Sequence, residues 1–184
     1  MELAAGHLLV ASTQLQDPNF TRTVVLMIRL DDDGAFGLIL NRPTNTPFSE
    51  VWTQVGEGRC ARTNPLHFGG PVEGPLFALH GDPLLSDVQI QPGLHFTTDP
   101  EHLKQLALGD QEPVKFIVGY AGWGAEQLRR EIHEGSWLNG PAKLDHVFAP
   151  LDQDLWNRVN RELVQNAIFP ALKINRLPDD PTVN

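Results

Sequence analysis

The side chains best suited to chemistry in this sequence stand at turns and strand ends. Asp17, Arg22, Asn41 and Arg42 form the first group. A guanidinium can hold a carboxylate or phosphate through two parallel hydrogen bonds. Two arginines near Asn41 therefore suggest a small anionic pocket. The structural alternative is an Asp17–Arg22 pair that fixes a turn, with Asn41 and Arg42 capping backbone groups. The second group is Gly119-Tyr120-Ala121-Gly122-Trp123-Gly124, between an apolar run and a helical pattern. A helix start offers unpaired N–H groups and the positive end of the dipole to an anion. The run has neither the Gly-Lys-Ser/Thr of a phosphate loop nor the Gly-x-Gly-x-x-Gly of a dinucleotide site. Its alternative is a tight turn whose glycines permit unusual backbone angles while Trp123 packs. If the two groups meet, Tyr120, Gly122, Trp123 and Gly124 share one cleft with the strand-end residues.

Other chemical signals are sparse. The seven histidines are His7, His67, His80, His95, His102, His133 and His146. None forms a His-x-His or His-Glu-x-x-His pair, and the single cysteine makes no Cys-x-x-Cys. Neither metal nor cofactor is expected. A dispersed metal site would be sought first at His80, which precedes Gly81-Asp82. Ser136 follows Gly135, but Trp137 and Leu138 break a nucleophile elbow. Cys60 lies between Arg59 and Arg62, whose charges can lower a thiol pKa; otherwise it is a solvated loop cysteine. Trp52, Trp123, Trp137 and Trp156 either form an aromatic shelf for a ligand or pack between helices and sheet.

The elements that must position these groups follow from periodicity and turn residues. His7–Thr13 reads as a strand and Gln16–Asn19 as a turn. Thr21–Leu30 is rich in β-branched residues and reads as a strand. It is followed by an Asp33-Gly34 hairpin turn and a return strand Ala35–Leu40. Thr44–Pro65 is irregular apart from a short helix at Phe48–Val55. Leu66–Phe68, Leu76–His80 and Leu94–Thr97 read as strands. Thr98–Ala107 reads as a helix opened by a Thr98–Glu101 capping box. Val114–Val118 is a buried-type strand, apolar except for Lys115. The glycine run reads as a turn, followed by a helix at Ala125–Glu134 with Gly135 just past its end. Ser136–Leu138 is short and apolar. Asp152–Val164 is an amphipathic helix with Leu155, Val159 and Leu163 on one stripe. Ala171–Ile174 reads as a last strand. Strands come first and helices later, which favours an α+β fold over a doubly wound sheet.

The bulk properties narrow the function. The chain is 41% hydrophobic and 20% charged, as ordinary globular proteins are. Its 184 residues suggest one domain, expected over 1–175, with a flexible tail at 176–184. Met1–Gly6 carries no basic stretch followed by an apolar run, and no apolar stretch reaches about 18 residues. With a lone cysteine, these points predict a cytoplasmic protein with no membrane association. The net charge is −9 and no Lys/Arg run occurs, so direct DNA binding is not expected. Arg129-Arg130 is interleaved with Glu126, Glu131 and Glu134, which reads as a solvated helix face.

Several segments in order and spacing point to a family. They are Leu15–Phe20 with Arg22-Thr23-Val24, Gly37–Pro43, Phe68–Val72, and Gly119–Gly124 with Gln127-Leu128. Ser136–Leu138 and the Leu155-Trp156 helix complete the series. Over about residues 6–164 the chain resembles the bacterial AlgH/YqgE family. The resemblance implies a bifurcated, partly barrel-like, mainly antiparallel or mixed β-sheet flanked by helices. Members are often labelled transcriptional regulators, and no biochemical activity is established for the family. Two departures stand out: Ser12-Thr13 replaces a common Met-Pro, and the tail after Val164 follows no family pattern. The expectation is a non-catalytic binding or regulatory protein whose partner is a small anionic ligand or another protein. The alternative is an enzyme acting on a small anionic metabolite in a cleft near Arg22, Arg42 and Gly119–Gly124.

Overall fold

The computed structural model describes residues 3–56, 58–151 and 154–171. Strands β1 (His7–Ala11), β2 (Val24–Asp31) and β3 (Gly34–Ile39) form an antiparallel meander. The predicted hairpin is present, with its turn one residue earlier. Asp31 pairs with Gly34, so Asp32-Asp33 is the loop, and Asp31 Oδ1 accepts from the N–H groups of Asp33 and Gly34. Strand β2 begins at Val24 rather than Thr21. The Asp17 carbonyl draws the N–H groups of Phe20 and Thr21 into a turn, and Arg22 takes φ of 56°.

The polar segment expected to be irregular forms β4 (Pro43–Pro47), antiparallel to β5 (Pro65–Phe68). Its two prolines obscured it in the sequence, because proline is confined to edge strands or strand starts. Between them lies α1 (Phe48–Val55), as expected. Next come β6 (Val72–His80), a 3₁₀ turn at Pro83–Leu85, β7 (Val88–Gln91), which the sequence reading missed, and β8 (Leu94–Thr97). Helix α2 (Pro100–Leu108) is capped by Asp99 rather than Thr98: the Asp99 carboxylate accepts from the N–H groups of Glu101 and His102.

The largest difference concerns the glycine run. It is not a turn. Residues Val114–Trp123 form one ten-residue strand, β9, and only Gly124 caps the following helix α3 (Ala125–His133). Helix α3 ends as predicted, with Gly135 at φ 78°. There Gly135 and Ser136 donate to the Ile132 and Glu131 carbonyls, a Schellman closure. Strand β10 (Trp137–Pro141), α4 (Leu144–Val147) and α5 (Leu155–Ala171) complete the described chain. Ala171, expected to open a strand, is the last residue of α5. The rest of that expected strand and the expected tail lie outside the described residues.

The sheet runs β10-β1-β2-β3-β9-β6-β8-β7, with β4 and β5 branching from it. Strand β9 carries the branch. Its end pairs with β3 (Ala35↔Trp123, Gly37↔Ala121), while its beginning pairs with β6 and, in parallel, with β5. Gly69 bridges the fork: Ile39 donates to its carbonyl, and its own N–H donates to Val118. A Cβ on Gly69 would lie 2.2 Å from the Gly119 oxygen, so this close approach requires glycine. The sheet also curls, bringing Ile90 of β7 against Gly6 just before β1. The fold is thus α+β with a forked, partly closed sheet.

Three apolar clusters hold it. Leu8, Leu26, Leu38, Phe77, Leu94 and Ile117 fill the curl, which Leu155, Trp156 and Val159 of α5 cover. Val25, Met27, Ala121, Trp123 and Trp137 pack under Leu128 of α3. Phe48, Trp52, Leu103, Leu106 and Phe116 join α1 and α2 to the sheet. Among the described residues, no helix is long and apolar enough to cross a membrane.

Candidate functional site

The predicted strand-end residues do assemble, but around backbone groups. Asn41 Oδ1 accepts from Val24 N–H at 2.9 Å, and its Nδ2 donates to the Arg22 carbonyl at 2.9 Å. Arg42 donates to the Thr21 carbonyl at 3.0 Å. Asp17 Oδ1 accepts from Asn19 N–H and does not pair with Arg22. Arg22 instead reaches across the fold to Asp154 at 2.9 Å and lies over the Trp156 ring, 4.9 Å from its centroid. The capping alternative therefore describes Asn41 and Arg42, and a carboxylate 132 positions away replaces the expected turn pair.

The glycine run lies elsewhere. Gly122 pairs with Phe36. Phe36 lies three strand positions, about 10 Å of extended chain, before Ile39, where β3 ends two residues ahead of Asn41. Gly122, Trp123 and Gly124 thus sit at the hairpin end of β3, and Arg22, Asn41 and Arg42 at the opposite end. A single cleft formed by both groups is corrected by this register. Tyr120 packs against Phe36 and Phe77. Trp123 is buried, and its indole donates to Glu131, which also accepts from Trp137. All four tryptophans are buried, so they form core contacts rather than a ligand shelf.

The other single residues resolve as follows. Cys60 is half-buried and its Sγ donates to the Ala107 carbonyl, so it is not a solvated loop thiol. Arg62 donates to the carbonyls of Leu106, Gly109 and Gln111 at the end of α2, with Glu112 as ion partner. No cluster of metal-binding residues occurs among the described residues. His80 is fully buried and stacks on His95, with ring centroids 5.9 Å apart. Burial first, then the charge of His95, lowers its pKa to about 4.

A different site emerges where the sheet forks. Lys115, the second residue of β9, is only 8% exposed. Its ammonium donates to the Leu40 carbonyl at 3.1 Å, just beyond the end of β3. It forms no ion pair with a carboxylate among the described residues. Burial lowers its pKa to about 8. A cleft of about 430 Å³ opens beside it, lined by Asn64, His67, Glu112, Phe148 and Pro150 among others. A narrower space of about 60 Å³ continues past Lys115 and His67 to Leu40, Asn41 and Leu155.

His67 is 4% exposed, and its Nδ1 has no hydrogen-bonding partner among the described residues. Burial, and then the Lys115 charge, lower its pKa to about 3, so it is neutral in physiological solution. A buried cation with no counter-charge among the described residues, beside a neutral imidazole, suits a ligand that brings anionic or carbonyl oxygen. Of the predicted residues, Asn41 alone reaches this site. The sequence signal was Lys115 itself, the one charge in an apolar strand.

The fork and the curl can be compared with known proteins. The AlgH-like family model matches residues 8–167. The chain belongs to the AlgH-like family. Its similarity to a UPF0301 protein of Chlorobaculum tepidum is 39% identity over 162 residues, 85% of this chain and 84% of the relative. A UPF0301 protein of Thermobifida fusca is 37% identical, with 97% and 94% of the chains covered. The AlgH-like chain also resembles the solution structure of AlgH from Pseudomonas aeruginosa. The TM-score is 0.72 at 27% identity, covering 98% of this chain and 100% of that one. A crystal structure of a Corynebacterium diphtheriae protein gives 0.72 at 26% identity, with 88% of both chains covered.

Proposed function

We propose that this AlgH-like chain is a cytoplasmic binding protein that takes a small anionic molecule in the cleft beside Lys115. One observation carries the reading: a buried ammonium whose one partner among the described residues is a carbonyl lines an open cleft. Leaving a charge buried without a counter-charge costs free energy, and a ligand carboxylate or phosphate would relieve that cost. Any regulatory output, including an effect on transcription, is then transmitted through the ligand or a protein partner. The net charge of −9 argues against the chain gripping duplex DNA itself.

The test is calorimetric titration and thermal melting with simple carboxylates and inorganic phosphate. Saturable binding that Lys115→Met abolishes is the expected result. Absence of binding by every member of the series would remove the reading.

A further inference from the structure

Among the charged groups of the cleft, Lys115 is the one whose chemistry extends beyond holding an anion. We infer that Lys115 is a carbonyl-capturing amine, whose Nζ condenses in the cleft with the oxo group of a small 2-oxo acid to give an iminium adduct. This rests on the proposed binding site and names its ligand class. The geometry supplies three requirements. The amine is held on a buried strand, with Nζ fixed by the Leu40 carbonyl at 3.1 Å rather than waving in solvent. An open volume of about 430 Å³ adjoins it, which suits a ligand of a few heavy atoms. His67 lines the same cleft with a neutral ring, so it adds no second positive charge beside the amine.

Charge selects the class of carbonyl compound. Glu112, the acidic residue lining the cleft, is already engaged: Oε1 holds Arg62 at 2.8 Å and Oε2 accepts from Val114 N–H at 3.1 Å. Among the described residues, the buried positive charge at Lys115 therefore lacks a counter-ion of its own. A 2-oxo acid brings one, and keeps it adjacent to the nitrogen after condensation. A neutral aldehyde would leave the iminium as uncompensated as the ammonium was.

The condensation balances without a redox partner. One proton leaves the ammonium, and the freed Nζ lone pair bonds to the oxo carbon, making a hydroxyl-bearing carbon. That hydroxyl takes up a proton and departs as water. Ammonium plus oxo acid thus becomes iminium plus water, with no net proton released. Burial aids the first proton loss, since the neutral amine is far more populated near neutrality than on a solvated lysine.

The experiment treats the intact protein with pyruvate or glyoxylate and cyanoborohydride, which reduces an iminium to a stable secondary amine, and maps the modified peptide by mass spectrometry. Lys104, Lys143 and Lys173 serve as comparisons within the chain. The expected result is labelling of Lys115 at least about tenfold above the other lysines at pH 7, suppressed by excess propionate. Mapping the native chain needs no variant; Lys115→Arg, which keeps the charge but cannot condense, should abolish the label. No adduct, or one spread evenly over the lysines, overturns the inference. If propionate still raises the melting temperature of the native chain but not of Lys115→Met, only the covalent step has failed. If it does neither, the binding reading has failed as well.

Discussion

Lys115 Nζ and the Leu40 carbonyl oxygen are 3.1 Å apart, a contact that spans the fork of the sheet. Leu40 lies just past β3, and Lys115 begins the part of β9 that has diverged from β3 to join β5 and β6. The bond fixes the amine, whose charge has no carboxylate partner among the described residues.

Alkaline stability should reveal that charge. Lys115 has its folded pKa lowered to about 8 from 10.5. Between these values the unfolded chain binds the extra proton, so stability rises with pH across that window. The gap corresponds to on the order of 3 kcal/mol as an upper bound. Urea unfolding from pH 7.5 to 10.5 should show the native chain gaining stability relative to Lys115→Met; parallel curves would contradict it.

Acid should act on the buried histidines. The folded pKa of His80 is lowered to about 4 and that of His67 to about 3, both from 6.5. Below pH 6.5 the unfolded chain takes protons that the folded chain refuses, so stability falls as pH drops through this range. His80→Phe, which keeps a ring against His95, should lose less stability than the native chain between pH 6.5 and 4.5. Denaturant melts at each pH provide the comparison.

The strand-end residues should separate by burial. Arg22 and Asp154 have side chains 58% and 49% exposed, so Arg22→Ala should cost under about 1 kcal/mol. Asn41→Ala removes the partners of the Val24 N–H and the Arg22 carbonyl and should cost about 1–2 kcal/mol. Equal or reversed losses in thermal unfolding would refute this ranking.

Glu131 joins two indoles through one oxygen, Oε2, at 3.1 Å from Trp123 Nε1 and 2.9 Å from Trp137 Nε1. Glu131→Ala leaves two buried donors unpaired and should cost about 2–4 kcal/mol. Tryptophan near-ultraviolet circular dichroism should change with it, because the Trp123–Trp137 edge contact loses its tie. An unchanged spectrum and melting curve would show the carboxylate to be dispensable.

Local signals in the chain determined a good share of this protein. The β-branched run with Asp-Gly specified the first hairpin, because both elements are neighbours in sequence. Spacing of apolar residues specified α1 and α5, and Gly135 the end of α3, since capping is a short-range matter. The motif series identified the family. Tertiary structure decided the rest. The glycine run looked like a turn because glycine permits one; it is strand because Gly69 and β3 pass close against it, which only the folded sheet imposes. Asp17 and Arg22 were close enough in sequence to suggest a pair, yet Arg22 found Asp154 once α5 had docked. Lys115 was visible as one charge in an apolar strand. Its cleft was not, because His67, Leu40 and Phe148 come from segments distant in sequence that meet only where β9 leaves β3.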